Sequence, residues 1–193
     1  MIYFTSDWHF CHDREFIWGP RGFSNIDEMN DAIIKRHNAT VKKEDEVYVL
    51  GDLMLCDDEK GLECVRSMNG RLHIINGNHD HEKRQSLYLT LPNVVDVMDA
   101  KYLRYGGLNL FLCHYATDTA NMDKVPLEWM LFSIHGHTHQ QEILTAPYIY
   151  HVGVDSWNCY PVSGDRVVAD LTSANSDPEV QTLLKAKAEG VFA

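Results

Sequence analysis

Three histidines stand at every second position of residues 133–139, which read SIHGHTH. Histidine is the commonest protein ligand for transition metals, so His135, His137 and His139 could together hold one zinc ion. They could also lie on one face of a regular strand, because alternate strand residues point the same way. A third possibility is that the run supplies one corner of a larger site. The remainder of the chain has to distinguish these three interpretations.

Four further apolar runs, at 2–4, 47–50, 72–75 and 108–113, end in polar residues, as does the run at 131–134. Short β-rich runs closed by Gly and Asx residues predict buried strands, and ligands of α/β folds collect beyond the carboxyl ends of such strands. The polar residues at these ends are Asp7, His9, Asp52, Asn78, His79, Asp80, His114, His137 and His139. Carboxylate, amide and imidazole groups suit divalent metals, and two ions ~3.5–4 Å apart can clamp a phosphoryl group.

Helical patterns lie between the predicted strands. A capping box at 24–27 predicts a helix that extends through 37, and a second helix is predicted over 58–68. A third is predicted from 177 to about 188, where Pro follows Asp at the start. Residues 149–154 and 166–171 are predicted to be late strands. The order of elements indicates a mixed α/β architecture with more than one sheet.

Length and composition narrow the class of protein. The 193 residues predict one domain over 1–193, and the formal net charge of −11 disfavours stable nucleic-acid binding through phosphates. No stretch approaches the length of a membrane span, and the N-terminus does not resemble a signal peptide. The five cysteines form no CxxC motif, so we expect reduced thiols and a cytoplasmic protein.

The ordered series of motifs resembles the calcineurin-like metallophosphoesterases. The motifs are Asp7-x-His9, Gly51-Asp52, Gly77-Asn78-His79-Asp80, His114 and Gly136-His137-x-His139, and they span residues 7–139. Residues 152–157 and 160–163 are also similar to a branch of small microbial and phage members. The resemblance implies a calcineurin-like metallophosphatase fold, in which two mixed β-sheets are sandwiched between helices in an α/β/β/α arrangement.

The resemblance also implies a site with two divalent ions, each of which would be Mn, Fe, Ni, Co or Zn. One ion would be held by Asp7, His9, Asp52 and His139, and the other by Asp52, Asn78, His114 and His137. A hydroxide shared between the ions would attack phosphorus in line. His79 would contact a phosphate oxygen or protonate the leaving group, while Asp80 would either orient His79 or stabilise its loop.

Other residues near the motifs are candidates for accessory roles. His12, Arg14 and Arg21 are candidate phosphate contacts, since a planar guanidinium suits a phosphate group. The alternatives are a loop histidine for His12 and surface arginines in ordinary salt bridges for the other two. In the SIHGHTH run, Gly136 is expected to let the backbone turn so that His137 and His139 diverge toward different ions. His135 is then a core residue or supports a ligand.

The favoured function is hydrolysis of a small phosphodiester, a cyclic nucleotide or a nucleotide diphosphate. The residues after Asp52 read LMLCDD and contain no arginine like the one with which the phosphoprotein phosphatase branch binds phosphate, so protein dephosphorylation is disfavoured. One alternative is a mononuclear zinc hydrolase that uses all three histidines of SIHGHTH. Another is a non-catalytic interaction scaffold on the same fold.

Overall fold

The computed structural model describes residues 1–55, 57–119 and 126–176. Its first sheet has the strand order β10-β1-β2-β3-β4. The strands are β1 (Ile2–Thr5), β2 (Glu46–Leu50), β3 (Arg71–Ile75), β4 (Val94–Met98) and β10 (Val162–Ser163). Strands β1 to β4 are parallel, whereas β10 is antiparallel to β1. The parallel strands therefore deliver their carboxyl ends to one edge of the sheet.

The second sheet has the strand order β5-β6-β7-β9-β8. The strands are β5 (Ala100–Tyr105), β6 (Leu108–Cys113), β7 (Leu131–His135), β8 (Leu144–Ala146) and β9 (Ile149–His151). The three central strands are parallel, and β5 and β8 are antiparallel neighbours at the two edges. All five apolar runs that predicted strands lie within strands, and the fold is the expected mixed α/β arrangement of two mixed sheets.

Five helices complete the described part of the chain: α1 (Glu15–Trp18), α2 (Ile26–Thr40), α3 (Asp58–Arg66), α4 (Glu82–Tyr88) and α5 (Gly164–Ser176). The predicted cap of α2 is displaced by one residue. Asn25 accepts a hydrogen bond from the Glu28 amide at 2.9 Å, and the Glu28 carboxylate accepts one from the Ser24 amide at 2.8 Å. Within the residues described, none of these helices has the length and apolarity needed to cross a bilayer.

Two hydrophobic clusters hold the layers together, because alternate residues of the first sheet face opposite sides. Val47 and Val49 pack with residues of α2, α3 and α4, such as Ile33 and Val65, on the outer side of that sheet. Tyr48 and Leu50 belong to the second cluster, which includes Leu110, Phe132 and Tyr150 of the second sheet and Val167 and Leu171 of α5. The first sheet is therefore covered by helices on one face and by the second sheet on the other.

Two late strand predictions need correction. Residues 166–171 lie in α5, where Val167, Leu171 and Asn175 are buried. Their spacing of four residues is helical, and the adjacent valines obscured that period in the sequence. The strand predicted over 149–154 ends earlier, at His151. The predicted third helix, from 177 to about 188, lies outside the described residues, as does Cys56, whereas the other four cysteines are free thiols.

Candidate metal centre

The loops that follow the strands hold one another at the carboxyl edge of both sheets. The amide of Asp7, after β1, donates to the carbonyl of Gly51, after β2, at 3.0 Å. The amide of His9 donates to the carbonyl of Asp52, also at 3.0 Å. The carboxylate of Asp7 accepts a hydrogen bond from the amide of His137, after β7, at 3.0 Å. A buried carboxylate thus links the two sheets where the candidate ligands meet.

Most of the candidate ligands have a backbone that L-residues rarely adopt. Five of the seven have positive φ: Asp7 (59°), His9 (50°), Asp52 (56°), His137 (69°) and His139 (49°). A left-handed conformation costs roughly 1–2 kcal/mol per non-glycine residue, and such strain clusters at functional sites. The surrounding fold must therefore hold these loops in place.

The turn in the SIHGHTH run differs from the expected one. The left-handed residues are His137 and His139, and Gly136 is not among the glycines with positive φ. Gly136 is required for space, because a Cβ there would collide with Ser6 Oγ and Asp7 Oδ2. The exposed His137 and His139 point in different directions because each has a left-handed backbone. Gly136, in turn, lets residues 133–139 approach Asp7.

The first group of possible ligands consists of Asp7, His9 and His139, whose ligand atoms all lie within 4.8 Å of one another. His9 Nε2 is 3.1 Å from His139 Nε2, and His139 Nε2 is 3.9 Å from Asp7 Oδ1. The Nε2 atoms of His9 and His139 therefore face the same point. Their chemistry suits a borderline divalent cation.

A second group consists of Asp52, His114 and His137, again with ligand atoms within 4.8 Å of one another. His114 Nε2 is 3.0 Å from Asn78 Oδ1 and 3.1 Å from His137 Nδ1. Asp52 Oδ2 is 3.5 Å from His114 Nε2 and 3.7 Å from His9 Nε2 in the first group. A single carboxylate oxygen therefore faces both groups.

Hydrogen bonds on the outer side of two imidazoles determine which nitrogen faces the centre. His114 Nδ1 donates to the carbonyl of Leu50 at 2.8 Å, and His139 Nδ1 donates to Asp155 Oδ2 at 3.0 Å. In each ring the Nε2 lone pair is then directed at the neighbouring ligands. This arrangement is typical of metal-binding histidines, since the outer partner fixes the tautomer and orientation of the ring.

Burial and neighbouring charges shift the pKa values of this cluster. Burial holds the pKa of His9 well below its usual value, with further lowering by the neighbouring cationic groups. Burial and His114 also lower the pKa of His137. Burial raises the pKa of Asp7 despite the nearby histidines. Since metal ions bind neutral imidazole, the lowered histidine pKa values favour a state ready to bind them.

His139 and Asp155 shift in opposite directions. Burial alone would lower the pKa of His139, but its hydrogen bond to Asp155 and the charge of Asp7 raise it. Burial alone would raise the pKa of Asp155, but His139 and Arg21 together lower it. Both pKa shifts are those expected for an ion pair between His139 and Asp155 that is partly shielded from solvent.

His79 and Asp80 have different surroundings although they are adjacent. The His79 side chain is 36% exposed, and its Nε2 is 3.9 Å from Asp52 Oδ2. The Asp80 carboxylate is buried and accepts hydrogen bonds from the amides of Asp52 (2.6 Å) and Gly77 (2.9 Å) and from the Tyr88 hydroxyl (2.7 Å). Asp80 thus contacts the loops and not the His79 ring, as expected for a loop-stabilising carboxylate.

The three candidate phosphate contacts are placed differently from one another. His12 is buried beside the first group, with Nδ1 3.4 Å from His9 Nδ1. Arg14 is exposed just before α1, and its side chain forms no hydrogen bond or ion pair with the described residues. Arg21 is not a surface arginine, since its side chain is 2% exposed. Its guanidinium is occupied by Asp155 at 2.8 Å and by the carbonyl of Asp7 at 2.9 Å. Arg21 therefore supports the loops in this structure, and its contact with phosphate stays a prediction.

The histidines of SIHGHTH do not converge on one point. His137 and His139 belong to different groups, and His135 belongs to neither of them. His135 is fully buried, its Nδ1 donates to the carbonyl of Gly136 at 2.7 Å, and its ring centroid lies 5.2 Å from that of His151 on β9. This geometry contradicts a mononuclear site built from all three histidines and agrees with a core position for His135.

The motif series did not identify Asp155 as part of the site. Asp155 lies in the 152–157 segment that resembles related proteins, but nothing in its spacing connects it to Arg21 or His139. The chain brings these three together across 134 and 16 residues of sequence separation. A buried acidic residue after an apolar run was the only available signal.

Comparisons with known proteins agree with this geometry. The sequence profile of the calcineurin-like phosphoesterase superfamily domain matches residues 1–156. Protein MJ1445 of Methanocaldococcus jannaschii is 33% identical over 177 residues, which cover 86% of this chain and 89% of that protein. The gene 66 protein of Mycobacterium phage L5 is 29% identical, with 93% and 98% of the two chains covered.

Among solved structures, protein AQ665 of Aquifex aeolicus has the same fold. Its TM-score is 0.65 at 24% identity, with 88% of this chain and 98% of that chain covered. The family profile extends over both groups of possible ligands and over Asp155. With the profile matching most of its length, the chain belongs to the calcineurin-like phosphoesterase superfamily.

Proposed function

We propose that the protein is a binuclear metal-dependent phosphoesterase that hydrolyses a small phosphodiester. The observation that carries this proposal is the position of Asp52 Oδ2, which lies 3.7 Å from His9 Nε2 and 3.5 Å from His114 Nε2. One oxygen at the boundary of two imidazole-rich groups is suited to bridge two cations. The donor set fits divalent ions, since His114 and His139 direct their free Nε2 lone pairs inward.

The ions, when bound, lower the pKa of the attacking water and offset the charge of the phosphoryl group. In this proposal Asp7, His9, Asp52 and His139 hold one ion. Asp52, Asn78, His114 and His137 hold the other. The chain contributes rigid placement of these ligands, because Asp80 and Asp7 secure the loops through backbone amides. Such preorganisation reduces the reorganisation needed during reaction.

His79 is the candidate proton donor to the leaving group. Its amide donates to Asp52 Oδ1 at 2.9 Å, which fixes the loop, while its ring is partly exposed beside the centre. One ring nitrogen of His79 also lies within 4.8 Å of ligand atoms of His9 and Asp52. In this proposal, however, the partly exposed ring contacts substrate and does not hold an ion. His12 packs beside both this ring and His9, with ring centroids 6.2 Å and 5.4 Å away, so it is a candidate contact for the bound substrate.

The test measures metal content and hydrolysis on the same preparation. Protein loaded with Mn²⁺, Ni²⁺, Co²⁺, Zn²⁺ or Mg²⁺ should hydrolyse bis(4-nitrophenyl) phosphate, and a chelator should abolish this activity. Asp52→Asn should eliminate turnover, whereas Asp96→Asn, which alters a carboxylate paired with His73 on the first sheet, should retain it. Two ions per chain support the proposal.

The alternatives make different predictions in this experiment. A single ion per chain would indicate a mononuclear enzyme. Bound metal without hydrolysis under all five metals would indicate an interaction scaffold. His135→Asn supplies a further control, because His135 lies outside both groups and its substitution should leave two ions bound.

A further inference from the structure

A cavity of about 580 Å³ opens directly beside the candidate centre, and its walls differ in character. The polar wall contains the imidazoles of the first group and of the proton donor, namely His9, His139 and His79. The apolar part of the lining, called the apolar wall below, is formed by Phe16, Ile17, Pro20 and Leu55. A substrate that places its phosphate at the imidazoles therefore has its substituents against hydrocarbon.

Phe16 is the most exposed member of the apolar wall. Its neighbour Ile17 is 8% exposed and anchors α1 in the first hydrophobic cluster, while Phe16 itself is 69% exposed. The Phe16 ring packs on His12 with centroids 5.6 Å apart and planes at 89°. An exposed phenylalanine alone is ordinary on a protein surface. Phe16, however, is held at the mouth of the cavity by buried Ile17 and by the buried ring of His12.

The charges around the cavity restrict which substituents it accepts. No lysine or arginine is among its lining residues in the described part of the chain, and Asp155 adds a carboxylate. Arg21, the nearest buried guanidinium, is occupied by Asp155 and the carbonyl of Asp7. No ammonium or guanidinium group lines the cavity to receive a second phosphate group, and recognition of phosphate normally employs one. The cavity thus disfavours nucleotide diphosphates.

We propose that the apolar wall recognises a flat aromatic ring in the substituent that stays on phosphorus, such as the ring of an aryl phosphodiester or the base of a nucleoside phosphodiester. Phe16 is the specificity-determining residue. This inference rests on the proposed phosphoesterase function and narrows its substrate class. Packing of two aromatic rings stabilises a complex beyond the area they bury, and burial of the ring adds to this. The combined effect corresponds to about tenfold or more in affinity.

The kinetic test compares phosphodiesters that share one leaving group. The 4-nitrophenyl esters of phenyl phosphate, of thymidine 5′-phosphate and of ethyl phosphate all release 4-nitrophenolate. We expect kcat/KM for the two aromatic esters to exceed that for the ethyl ester by about tenfold, mainly through KM. Phe16→Ala should remove most of this difference between the aromatic esters and the ethyl ester, while Phe16→Tyr should preserve it. Trp129→Ala removes an aromatic ring that is 72% exposed outside the cavity and is the matched control.

A binding measurement tests the recognition of an aromatic ring independently of hydrolysis. Calorimetry on Mn²⁺-loaded protein should show that phenylphosphonate binds about tenfold more tightly than methylphosphonate, and that Phe16→Ala abolishes the difference. Equal affinities together with equal kcat/KM values would overturn the inference while leaving the phosphoesterase intact. Phe16-dependent binding with no hydrolysis of any ester would instead overturn the proposed function and support the aromatic site.

Discussion

Asp155 Oδ2 accepts a hydrogen bond from His139 Nδ1 at 3.0 Å, and the same carboxylate pairs with Arg21 Nε at 2.8 Å. All three side chains belong to different loops, and two of them are almost fully buried. The contact holds the most exposed loop of the first ligand group against the body of the fold. Because Nδ1 of His139 donates to Asp155, Nε2 is the ring nitrogen left to bind a metal ion, and it faces His9.

Asp155→Asn should weaken binding of the ion held by His139 by about 10- to 100-fold, the usual effect of removing a carboxylate behind a metal-binding histidine. Metal titration of the chelated protein would measure this, with the second ion as an internal reference. Asp170→Asn breaks an exposed ion pair with Arg166 and provides the control. Unchanged affinity for both ions in Asp155→Asn would contradict the role assigned to this contact.

Substitutions at Asp80 and His79 should affect different properties: the first should lower stability, and the second should lower turnover. Asp80→Asn replaces a charged acceptor of three loop amides and the Tyr88 hydroxyl, and each charge-assisted bond contributes about 1.5–3 kcal/mol. We expect a loss of about 2–3 kcal/mol in the free energy of unfolding of the metal-free protein, measured with urea, and weaker metal binding. His79→Ala should leave both quantities unchanged and lower kcat. A stable Asp80→Asn protein with normal metal content would contradict this assignment.

Alanine substitutions at Gly136 and Gly107 should affect different properties, because the first glycine is needed for space and the second for its backbone conformation. At Gly136 a Cβ would collide with Ser6 Oγ and Asp7 Oδ2, so Gly136→Ala should displace the Asp7 carboxylate and weaken metal binding. At Gly107 there is space for a Cβ but φ is +85°, so Gly107→Ala should cost about 1–2 kcal/mol of stability with metal affinity unchanged. Metal titration and urea unfolding of the two variants test this pair. Equal metal affinity in both would contradict it.

Buried His37 should make the metal-free protein less stable in acid. Burial lowers its pKa to about 4 from 6.5, although its ring bonds to the carbonyl of Asn69 at 2.9 Å. Between these values the unfolded chain binds more protons than the folded one, so the free energy of unfolding falls as pH decreases from about 6.5 to 4. At 1.36 kcal/mol per unit, the contribution of His37 is roughly 3 kcal/mol.

Chelated protein unfolded with urea at several pH values would measure this slope. Burial also lowers the pKa of His151 to about 3, so the wild-type slope includes more than one histidine. His37→Gln removes one titrating group that is not a candidate ligand and should reduce the slope by up to one proton. An identical slope in the variant would show that His37 does not titrate in this range.

Much of the architecture is encoded locally and could be predicted. The apolar runs at 2–4, 47–50, 72–75 and 131–134 all lie in strands, because short buried strands have a continuous hydrophobic pattern. The order of the polar residues after them was sufficient to indicate the family. The helix α5 was missed because its adjacent valines, Val167 and Val168, resemble a strand when the buried period of four is not yet known.

The sequence by itself determined which side chains could act as ligands, since residue type and the position after a strand are local properties. Only the tertiary structure decided how they meet. The left-handed backbone of His137 and His139, the pairing of Asp155 with Arg21 and the attachment of Asp80 to loop amides all depend on contacts between distant segments. Such strained and buried polar arrangements persist only when the surrounding fold compensates for them, and local patterns do not contain that information.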